Sequence, residues 1–368
     1  MTTLEKIQAL GNAGSYDLCS GSECKTNMHK PLHNSIYPAV TGTGKCLNLF
    51  KTLQTNACTH DCKYCVNNNG RCHKREKYTP EELSHTFMNL VRLRKVQGLF
   101  LSSGVGGDPD KIMSEMIRSV ELIRHRYHFK GYVHLKVLPG TNRYLVHRAC
   151  EIAHRVSINL ETTPDHLPEL SLDKDFKSDL IKRLGWVRSE EKRGLLPDGV
   201  TTQLIVGGAG ETDQEVLSLV SGLYKRYDLR RVYFSTFSPV KGTPLENGLR
   251  INPLRGHRLY QSDFLLRQYG FKLSDLKLDD GFINLLVDPK VSAAMNDDRL
   301  PLDVNEASSH DLLRVPGIGP KTVNKVLSLR PFNSLKDLRK AGVITKRAAP
   351  FIIINGHRQS SLNDFLPN

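Results

Sequence analysis

The sequence predicts an α/β protein built on a curled, partly open parallel sheet, followed by a small all-α unit. Three observations favour this fold class. Short β-rich runs alternate six times with helical stretches between residues 46 and 270. Some of these β-rich runs alternate apolar and polar side chains along their length, which is typical of strands with one apolar face and one face toward water or a ligand. After Gly270 the composition changes, and a short helical pattern follows at 301–358.

Six β-rich runs predict the strands, and they lie at 46–53, 98–104, 132–139, 155–162, 201–208 and 231–239. Parallel strands with helical crossovers satisfy this order, in either a doubly wound or a barrel-like sheet. In the third run Val133, Leu135 and Val137 fall on one face, whereas His134 and Lys136 fall on the other. Because a doubly wound sheet favours strands that are apolar on both faces, a partial (βα)6 barrel with a polar lumen fits better. His134 and Lys136 are then candidate substrate contacts, or a pair satisfied within the lumen.

Amphipathic helices occupy the stretches between the runs. The first has the clearest start, since Thr79 can cap it, Pro80 suits its first turn, and Glu81 and Glu82 follow. Three further helical patterns lie at 108–127, 141–155 and 211–227.

The length of 368 residues predicts two or three domains, at about 150 residues each. The predicted boundaries give a lead-in at 1–45, a core barrel at 46–270, a connecting segment at 271–300 and a helical domain at 301–358. No apolar run approaches the ~20 residues that span a bilayer, and the first residues lack a secretory pattern, so we expect a cytoplasmic protein with no membrane partner. The net charge of +14 favours a polyanionic partner, nucleic acid before a membrane.

Eight cysteines stand at positions 19, 24, 46, 58, 62, 65, 72 and 150. Their clustering near the start of a large chain argues against a disulfide scaffold and for metal ligands or reactive thiols. Cys58, Cys62 and Cys65 follow the first strand with the spacing C-x3-C-x2-C. Three thiolates on one tight loop can hold three irons of a [4Fe–4S] cluster and leave the fourth iron without a protein ligand.

Three alternative roles for the clustered cysteines stay open. Cys72 or His73 could complete a tetrahedral zinc site, or Cys72 could be the fourth ligand of a structural cluster. Three free thiols grouped by chance are the third alternative. Cys19 and Cys24 form a C-x4-C pair without a four-ligand pattern. Cys150 lies in the middle of a helical pattern and is expected to be buried in the protein core.

The loop resembles that of the radical SAM superfamily, C-x3-C-x-aromatic-C, in which Tyr64 fills the aromatic position. The resemblance covers roughly residues 46–270 and implies a partial (βα)6 barrel. It implies that the open iron of the [4Fe–4S] cluster binds S-adenosylmethionine. The reduced cluster then cleaves that cofactor to methionine and a 5′-deoxyadenosyl radical, which abstracts a hydrogen atom.

The same resemblance implies contacts with the cofactor near the ends of the strands. The residues are Tyr64 in the loop, Ser102, Ser103 and Gly104 near the methionine amino group, Ser157, Asn159 and Glu161 near the ribose and carboxylate, and Gly207 and Gly208 near the adenine. The usual Gly-Gly-Glu of the family is absent here. The alternatives are local: serines at strand ends often cap the next helix, glycines there often serve the turn, and Glu161 could be a solvated rim residue.

The C-terminal residues 311–330 contain the sequence PGIG between two short helical patterns, which resembles the helix-hairpin-helix family. Two glycines there expose backbone N–H groups at the start of a helix, an arrangement suited to phosphate. Residues 301–368 carry ten Lys/Arg and five Asp/Glu, a net charge of +5. The predicted nucleic-acid contacts are Gly317, Ile318, Gly319, Lys321 and Lys325. A structural or protein-docking role is the alternative.

The two motifs together resemble one family described as DNA modification or repair radical SAM proteins, which is associated with a uracil-DNA-glycosylase-like partner. The implied function is hydrogen abstraction from DNA, with an electron donor such as flavodoxin or ferredoxin. Two alternatives belong to other classes: a radical SAM enzyme that acts on RNA or protein, and a non-enzymatic DNA-binding protein with a structural metal site.

Overall fold

The computed structural model describes residues 3–15, 34–40 and 46–359, so Cys19 and Cys24 lie outside the described residues. The chain divides into two compact units. The first comprises residues 1–211 and 223–251, and the second comprises residues 212–222 and 252–368.

A seven-stranded sheet forms the centre of the first unit, and its strands follow one another in space in their chain order. They are β1 (Ile36–Val40), β2 (Cys46–Leu53), β3 (Gly98–Ser102), β4 (Tyr132–Lys136), β5 (Arg155–Ser157), β6 (Val200–Val206) and β7 (Arg231–Thr236). From β2 to β7 every neighbouring pair is parallel. A doubly wound sheet reverses its order partway, and this one does not. The predicted partial barrel of six parallel strands is therefore confirmed, as a curled half-barrel sheet.

The strand β1 adds an antiparallel edge that the sequence analysis did not predict, since it treated residues 1–45 as a lead-in. It pairs with β2 from Ile36↔Phe50 to Val40↔Cys46. Pro38 within this five-residue strand argues against a strand on sequence grounds, because proline cannot donate to a ladder. An edge position tolerates it, since an edge strand pairs within its sheet on one side only.

Helix α1 (Thr3–Ser15) precedes the strands of the first unit. The other helices follow strands, and they are α2 (Pro80–Arg92), α3 (Pro109–Glu121), α4 (Arg143–Ile152), α5 (Leu167–Leu170), α6 (Lys182–Lys192) and α7 (Asp213–Tyr227), which the division between the units crosses. The start of α2 agrees with the prediction. The backbone N–H of Glu82 donates to Thr79 Oγ1 at 3.1 Å, and the backbone N–H of Thr79 donates to Glu82 Oε2 at 2.8 Å. This reciprocal capping fixes the first turn of the helix.

The second unit is mostly helical, with α8 (Pro253–Gln268), α9 (Pro289–Met295), α10 (Ser309–Leu312), α11 (Pro320–Leu329), α12 (Leu335–Lys340) and α13 (Thr345–Ala348). The predicted connecting segment contains β8 (Leu278–Asp279) and β9 (Phe282–Ile283). Residues 301–358 differ from the all-α expectation, because they also contain β10 (Leu302–Asp303), β11 (Ile352–Ile354) and β12 (His357–Arg358). Three successive isoleucines form β11, and β-branched residues fit a pleated, half-buried surface. The residues of α8 fall within the predicted core barrel of residues 46–270, but they cluster with this unit.

The core of the second unit collects apolar side chains from both sides of the PGIG sequence. Leu312, Val315, Val326, Leu338 and Ile352 are all buried there. None of the helices in residues 3–15 and 46–359 is long and apolar enough to cross a membrane.

Candidate functional site

The three cysteines of the loop line one cavity of about 240 Å³ at the carboxyl ends of the strands. The loop begins shortly after the end of the β2 ladder with β3, so the sheet itself places it. The backbone N–H of Val105 donates to Cys58 Sγ, and that of Asn67 donates to Cys65 Sγ, each at 3.4 Å. These N–H···S contacts orient two of the sulfurs and stabilise negative charge on them.

Two polar side chains outside the cysteine motif hold the loop in shape. Asn68 Nδ2 donates to the carbonyls of Asp61 and Cys62, at 2.8 and 3.0 Å. The guanidinium of Arg75 donates to four backbone carbonyls, including Asn56 at 2.6 Å and Asn67 at 2.9 Å. Neither residue could be predicted from the sequence, because a single Asn or Arg in an aperiodic loop carries no pattern.

The turn after β3 packs directly on the cysteine loop. The N–H of Gly104 donates to the Thr55 carbonyl at 2.7 Å, and Ser103 Oγ accepts the N–H of Thr55 at 3.2 Å. A Cβ on Gly104 would lie 2.4 Å from the Ala57 carbonyl oxygen and 3.2 Å from Cys58 Cβ. The absence of a side chain at Gly104 therefore permits the close approach of the two loops.

Gly104→Ala is expected to displace the cysteine loop and to lower the iron bound after reconstitution several-fold, because neither contacting atom of the loop can move away freely. Gly106→Ala is the matched control, since its Cβ would meet Ala57 only at 3.4 Å. Iron and sulfide analysis of both variants after anaerobic reconstitution checks this. Equal iron content in the two variants would contradict the packing argument.

A buried ion pair stands beside the cysteines. Lys174 Nζ lies 3.0 Å from Glu161 Oε1, and the two side chains are only 5% and 6% exposed. Burial opposes the charged form of Lys174, but attraction to Cys62 and Glu161 outweighs burial and holds the lysine pKa well above its usual range. Tyr64 also hydrogen-bonds to Glu161, and burial together with that carboxylate raises the pKa of its hydroxyl. Sequence analysis missed Lys174, which lies in an aperiodic stretch.

Glu161 adopts a left-handed backbone conformation, with φ at 65°. A residue with a Cβ is strained there, and such strain persists where the surroundings hold the residue in place. The conformation directs the carboxylate into the cavity wall, toward Lys174 and Tyr64. This geometry favours the cavity-contact interpretation of Glu161 over the solvated-rim alternative.

Two thiols of the loop, those of Cys62 and Cys65, resist ionisation when no cation is bound. Burial raises the pKa of Cys65 to about 12, and the neighbouring Cys62 adds to the shift. Burial likewise raises the pKa of Cys62. Metal binding needs the thiolates, so a metal cation held by Cys62 and Cys65 would favour loss of their protons.

The donor set fits a cubane cluster, because three cysteine sulfurs from one loop line the same cavity. Among residues 3–15, 34–40 and 46–359, no three His, Cys, Asp or Glu side chains converge on one point that could hold a metal ion. Cys72 and His73 do not line the cavity, so neither is placed to complete a zinc site with the three cysteines.

Polar atoms in the cavity wall also fit a polar cofactor. Asn159 Oδ1, Asn67 Oδ1 and His60 Nε2 are buried and have no hydrogen-bond partner among the described residues. All three residues line the cavity. Buried groups of this kind usually have a partner, so hydroxyl or amino groups of a bound molecule would satisfy them.

The structure brings most of the predicted cofactor contacts to this cavity. Its lining includes Tyr64, Ser102, Ser103, Gly104, Asn159 and Glu161. It also includes residues that the sequence analysis did not select, namely Ala13, Gly14, Gln203, Ile205, Ser235 and Phe237. Gln203 and Ile205 lie two residues apart in β6, Ser235 lies in β7, and Phe237 follows β7. Alternation along these strands was the only sequence signal that these side chains face the lumen.

Ser157, Gly207 and Gly208 do not line the cavity. Ser157 lies deeper, where its hydroxyl is 2.7 Å from His134 Nε2. Gly207, with φ at 81°, donates its N–H to the Glu211 carboxylate and so closes the turn after β6. A Cβ on Gly208 would lie 3.3 Å from the side chains of Leu170 and Phe237. For these glycines the geometry supports the turn and packing alternative.

His134 and Lys136 have different surroundings. His134 stacks on Phe100, with ring centroids 4.4 Å apart and planes inclined by 10°. Burial, with the charges of Arg155, Lys136 and Lys51, holds its pKa well below the usual range, so the ring is neutral. Because its Nε2 also has a hydrogen-bond partner in Ser157, His134 is a satisfied residue of the lumen. Lys136, by contrast, lines the cavity, and its ammonium lies 5.7 Å from the centre of the Phe100 ring.

The PGIG hairpin lies between α10 and α11. Gly317 has φ at 88°, and a Cβ on it would lie 2.5 Å from the Ile344 carbonyl oxygen. The N–H of Ile344 donates to the Gly317 carbonyl at 3.1 Å. Gly319 caps the start of α11 without a side-chain hydrogen bond, and both Lys321 and Lys325 are exposed on that helix. The hairpin is thus packed from one side and basic on the helix that follows it.

Comparison with known families agrees with this geometry. Residues 53–221 match the model of the radical SAM superfamily, and residues 299–349 match that of a helix-hairpin-helix motif. The cysteine loop lies within the first segment, and the PGIG hairpin lies within the second.

Individual relatives cover only part of the chain. The biotin synthase of Persephonella marina is 30% identical over 101 residues, which are 27% of this chain and 27% of that protein. The structure of methylornithine synthase has 19% identity and a TM-score of 0.48, over 58% of this chain and 60% of that chain. The FeFe-hydrogenase maturase HydG from Carboxydothermus hydrogenoformans has 16% identity and a TM-score of 0.47, over 58% and 50%.

The family match, and the three cysteines around one cavity, confirm the prediction of a radical SAM domain. A radical SAM domain implies a [4Fe–4S] cluster and S-adenosylmethionine as cofactors. The chain therefore contains a radical SAM domain at residues 53–221 and a helix-hairpin-helix motif at residues 299–349.

Proposed function

We propose that this radical SAM enzyme abstracts hydrogen from a nucleic-acid substrate, and that the substrate is DNA in a modification or repair reaction. The observation that carries the proposal is the presence in one chain of a three-cysteine cavity and a basic helix-hairpin-helix motif. The first supplies radical chemistry, and the second suits a phosphate backbone.

In this proposal Cys58, Cys62 and Cys65 hold the cluster. When bound, the cluster supplies an electron to S-adenosylmethionine and so gives a radical that can remove a hydrogen atom. The protein binds and orients the cofactor and excludes water. Leu53, Val137 and other apolar residues of the cavity wall provide the dry surface.

Cofactor contacts are proposed for the cavity residues. Asn159 Oδ1, buried without a partner among the described residues, would accept a hydrogen bond from a ribose hydroxyl. Lys174 and Glu161 present one charge of each sign, which suits the zwitterionic methionine end of the cofactor. Tyr64, Ser102, Ser103 and Gly104 surround the same space. Ser157, Gly207 and Gly208 are expected to act indirectly, through the lumen and the turn.

The decisive experiment is anaerobic turnover. Reconstituted protein, dithionite and S-adenosylmethionine are incubated with DNA, RNA or no nucleic acid, and 5′-deoxyadenosine is measured by mass spectrometry. We expect DNA to increase its formation and, when deuterated, to transfer deuterium into it. Absence of deoxyadenosine with an intact cluster would reject the enzyme. Stimulation by RNA alone would assign the other nucleic acid.

A base hydrogen inside a duplex is out of reach of such a cavity. Enzymes that act on bases therefore use single strands or extrude the nucleotide, at a cost of a few kcal/mol. We expect turnover on single-stranded or mismatched DNA to exceed that on a perfect duplex of the same sequence.

Backbone binding by the C-terminal helix gives a further prediction. Lys321→Ala with Lys325→Ala is expected to weaken binding about equally across DNA sequences and to reduce the salt slope of log Kd by about one to two. Both lysines are exposed on α11. Lys336→Ala, exposed on α12, is the control that changes the charge of the same unit away from the hairpin. Fluorescence anisotropy at several salt concentrations measures the slope, and equal slopes for both variants would reject the α11 contact.

The remaining partners follow from the resemblance alone. A uracil-DNA-glycosylase-like protein and a flavodoxin or ferredoxin electron donor are proposed, as is a cytoplasmic location.

If the helix-hairpin-helix motif only docks a protein, DNA will not bind in a salt-dependent way. A non-enzymatic protein with structural zinc would contain zinc without iron or sulfide.

A further inference from the structure

A buried lysine outside the helix-hairpin-helix motif contacts the hairpin. Lys290, in α9, is only 8% exposed. Its Nζ donates to the Ile318 carbonyl at 2.5 Å and lies 4.5 Å from the centre of the Tyr269 ring. Ile318 lies between the two glycines of the hairpin. Lys290 precedes residues 299–349, which match the helix-hairpin-helix motif. The second unit therefore adds a cation to the hairpin that the motif itself does not contain.

The surroundings of Lys290 form a cavity of about 370 Å³, which Gly317 and Gly319 also line. Three titratable or charged groups face the lysine there. Asp288 and Arg347 form an ion pair at 2.8 Å, and Tyr269 supplies a phenol whose pKa is raised by burial and by Asp288. Asp288 also accepts the backbone N–H of Lys290 at the start of α9. The negative charge of Asp288 is thus shared between Arg347 and the start of α9.

The geometry of the Ile318–Gly319 peptide links this lysine to the opposite side of the hairpin. The bond is trans, so its C=O and N–H point in opposite directions. A carbonyl fixed on Lys290 therefore turns the Gly319 N–H away from Lys290. A charge-assisted hydrogen bond at one end of a peptide also polarises it and makes the N–H at the other end a stronger donor.

We propose that Lys290 is a positioning residue of the hairpin, whose ammonium orients and polarises the Ile318–Gly319 peptide so that the Gly319 N–H binds a nucleic-acid phosphate. This inference rests on the proposed binding of nucleic acid. Lys290 itself does not touch the phosphate in this arrangement. It acts through the peptide, and through its charge at short range.

The charge state of Lys290 makes the proposal measurable. Burial lowers the lysine pKa to about 7, Asp288 opposes that shift, and Arg347 adds to it. A bound phosphate favours the ammonium, so the lysine pKa rises in the complex. The affinity for nucleic acid is then greatest below pH 7 and falls as the pH rises through and above 7. It levels off at the affinity of the protein in which the Lys290 amine is neutral.

The test uses the full chain and a fluorescent DNA duplex at constant salt, with Kd measured between pH 6.5 and 9. If phosphate raises the lysine pKa by one unit, the Kd of the unchanged protein is expected to increase up to about tenfold over this range. Lys290→Met should bind more weakly at low pH and lose the dependence. Lys290→Arg, which keeps the charge, should retain affinity with a flat profile. Lys277→Met, at an exposed lysine of the same unit, should keep the original profile.

The outcomes separate this inference from the proposed function. No binding of DNA or RNA at any pH would overturn both. Salt-dependent binding with a pH-independent Kd, or a Lys290→Arg variant that keeps the original profile, would overturn the role of Lys290 and leave nucleic-acid binding intact. If Lys290→Met fails to fold by circular dichroism, the Lys290→Arg profile decides.

Discussion

Replacing Cys62 by alanine is expected to remove the iron–sulfur cluster and, with it, the cleavage of S-adenosylmethionine. The loop offers three sulfur ligands, and loss of one leaves two for four irons. Changes in groups that only support metal ligands already cost 10–100-fold, so loss of a ligand should lower deoxyadenosine formation by more than about 100-fold. Iron and sulfide content, visible absorbance and product formation after anaerobic reconstitution measure the effect.

Cys72→Ala is the matched control for that variant. Cys72 is exposed and does not line the cavity, although it lies only seven residues beyond Cys65. We expect full cluster content and unchanged cleavage. If Cys72→Ala instead loses the cluster as Cys62→Ala does, a fourth cysteine ligates the iron. The site for S-adenosylmethionine on the open iron would then not exist.

Sequence patterns predicted the parts of this site that depend on regular structure. The polar face of the third β-rich run placed Lys136 in the lumen, and the spacing of Cys58, Cys62 and Cys65 placed them on one loop. Both inferences use fixed geometry, since successive strand residues face opposite sides and a short loop cannot separate its ligands widely. Ser157 was predicted as a cofactor contact from the family resemblance, but its hydroxyl contacts His134 and does not line the cavity.

Residues that act from irregular segments could not be predicted in this way. Lys174 and Arg75 reach the cysteine loop from stretches without periodicity, and only the folded chain brings them there. Lys290 is in a short helix, but its contact with Ile318 depends on how α9 packs within the second unit. Long-range contacts between side chains of separate segments leave no mark in local sequence.

Lys174→Met is expected to destabilise the first unit by about 3–5 kcal/mol, because it leaves Glu161 charged, buried and without its cation. The two side chains are 5% and 6% exposed, so water cannot replace the lost contact. Urea unfolding of iron-free protein measures the loss without a contribution from the cluster. Lys77→Met is the control: Lys77 pairs with Glu115 at 2.7 Å, but its side chain is 42% exposed, and such pairs contribute less than about 1 kcal/mol.

The double variant Lys174→Met with Glu161→Gln separates coupling from simple loss of packing. When both charges are removed, no uncompensated charge remains, and much of the stability should return. Cofactor binding should not return with it, since the proposed contact of this pair with the methionine end of S-adenosylmethionine needs both charges. A double variant as unstable as Lys174→Met would show that the two residues are not energetically coupled. Recovery of stability together with full cofactor affinity would limit the pair to a structural role.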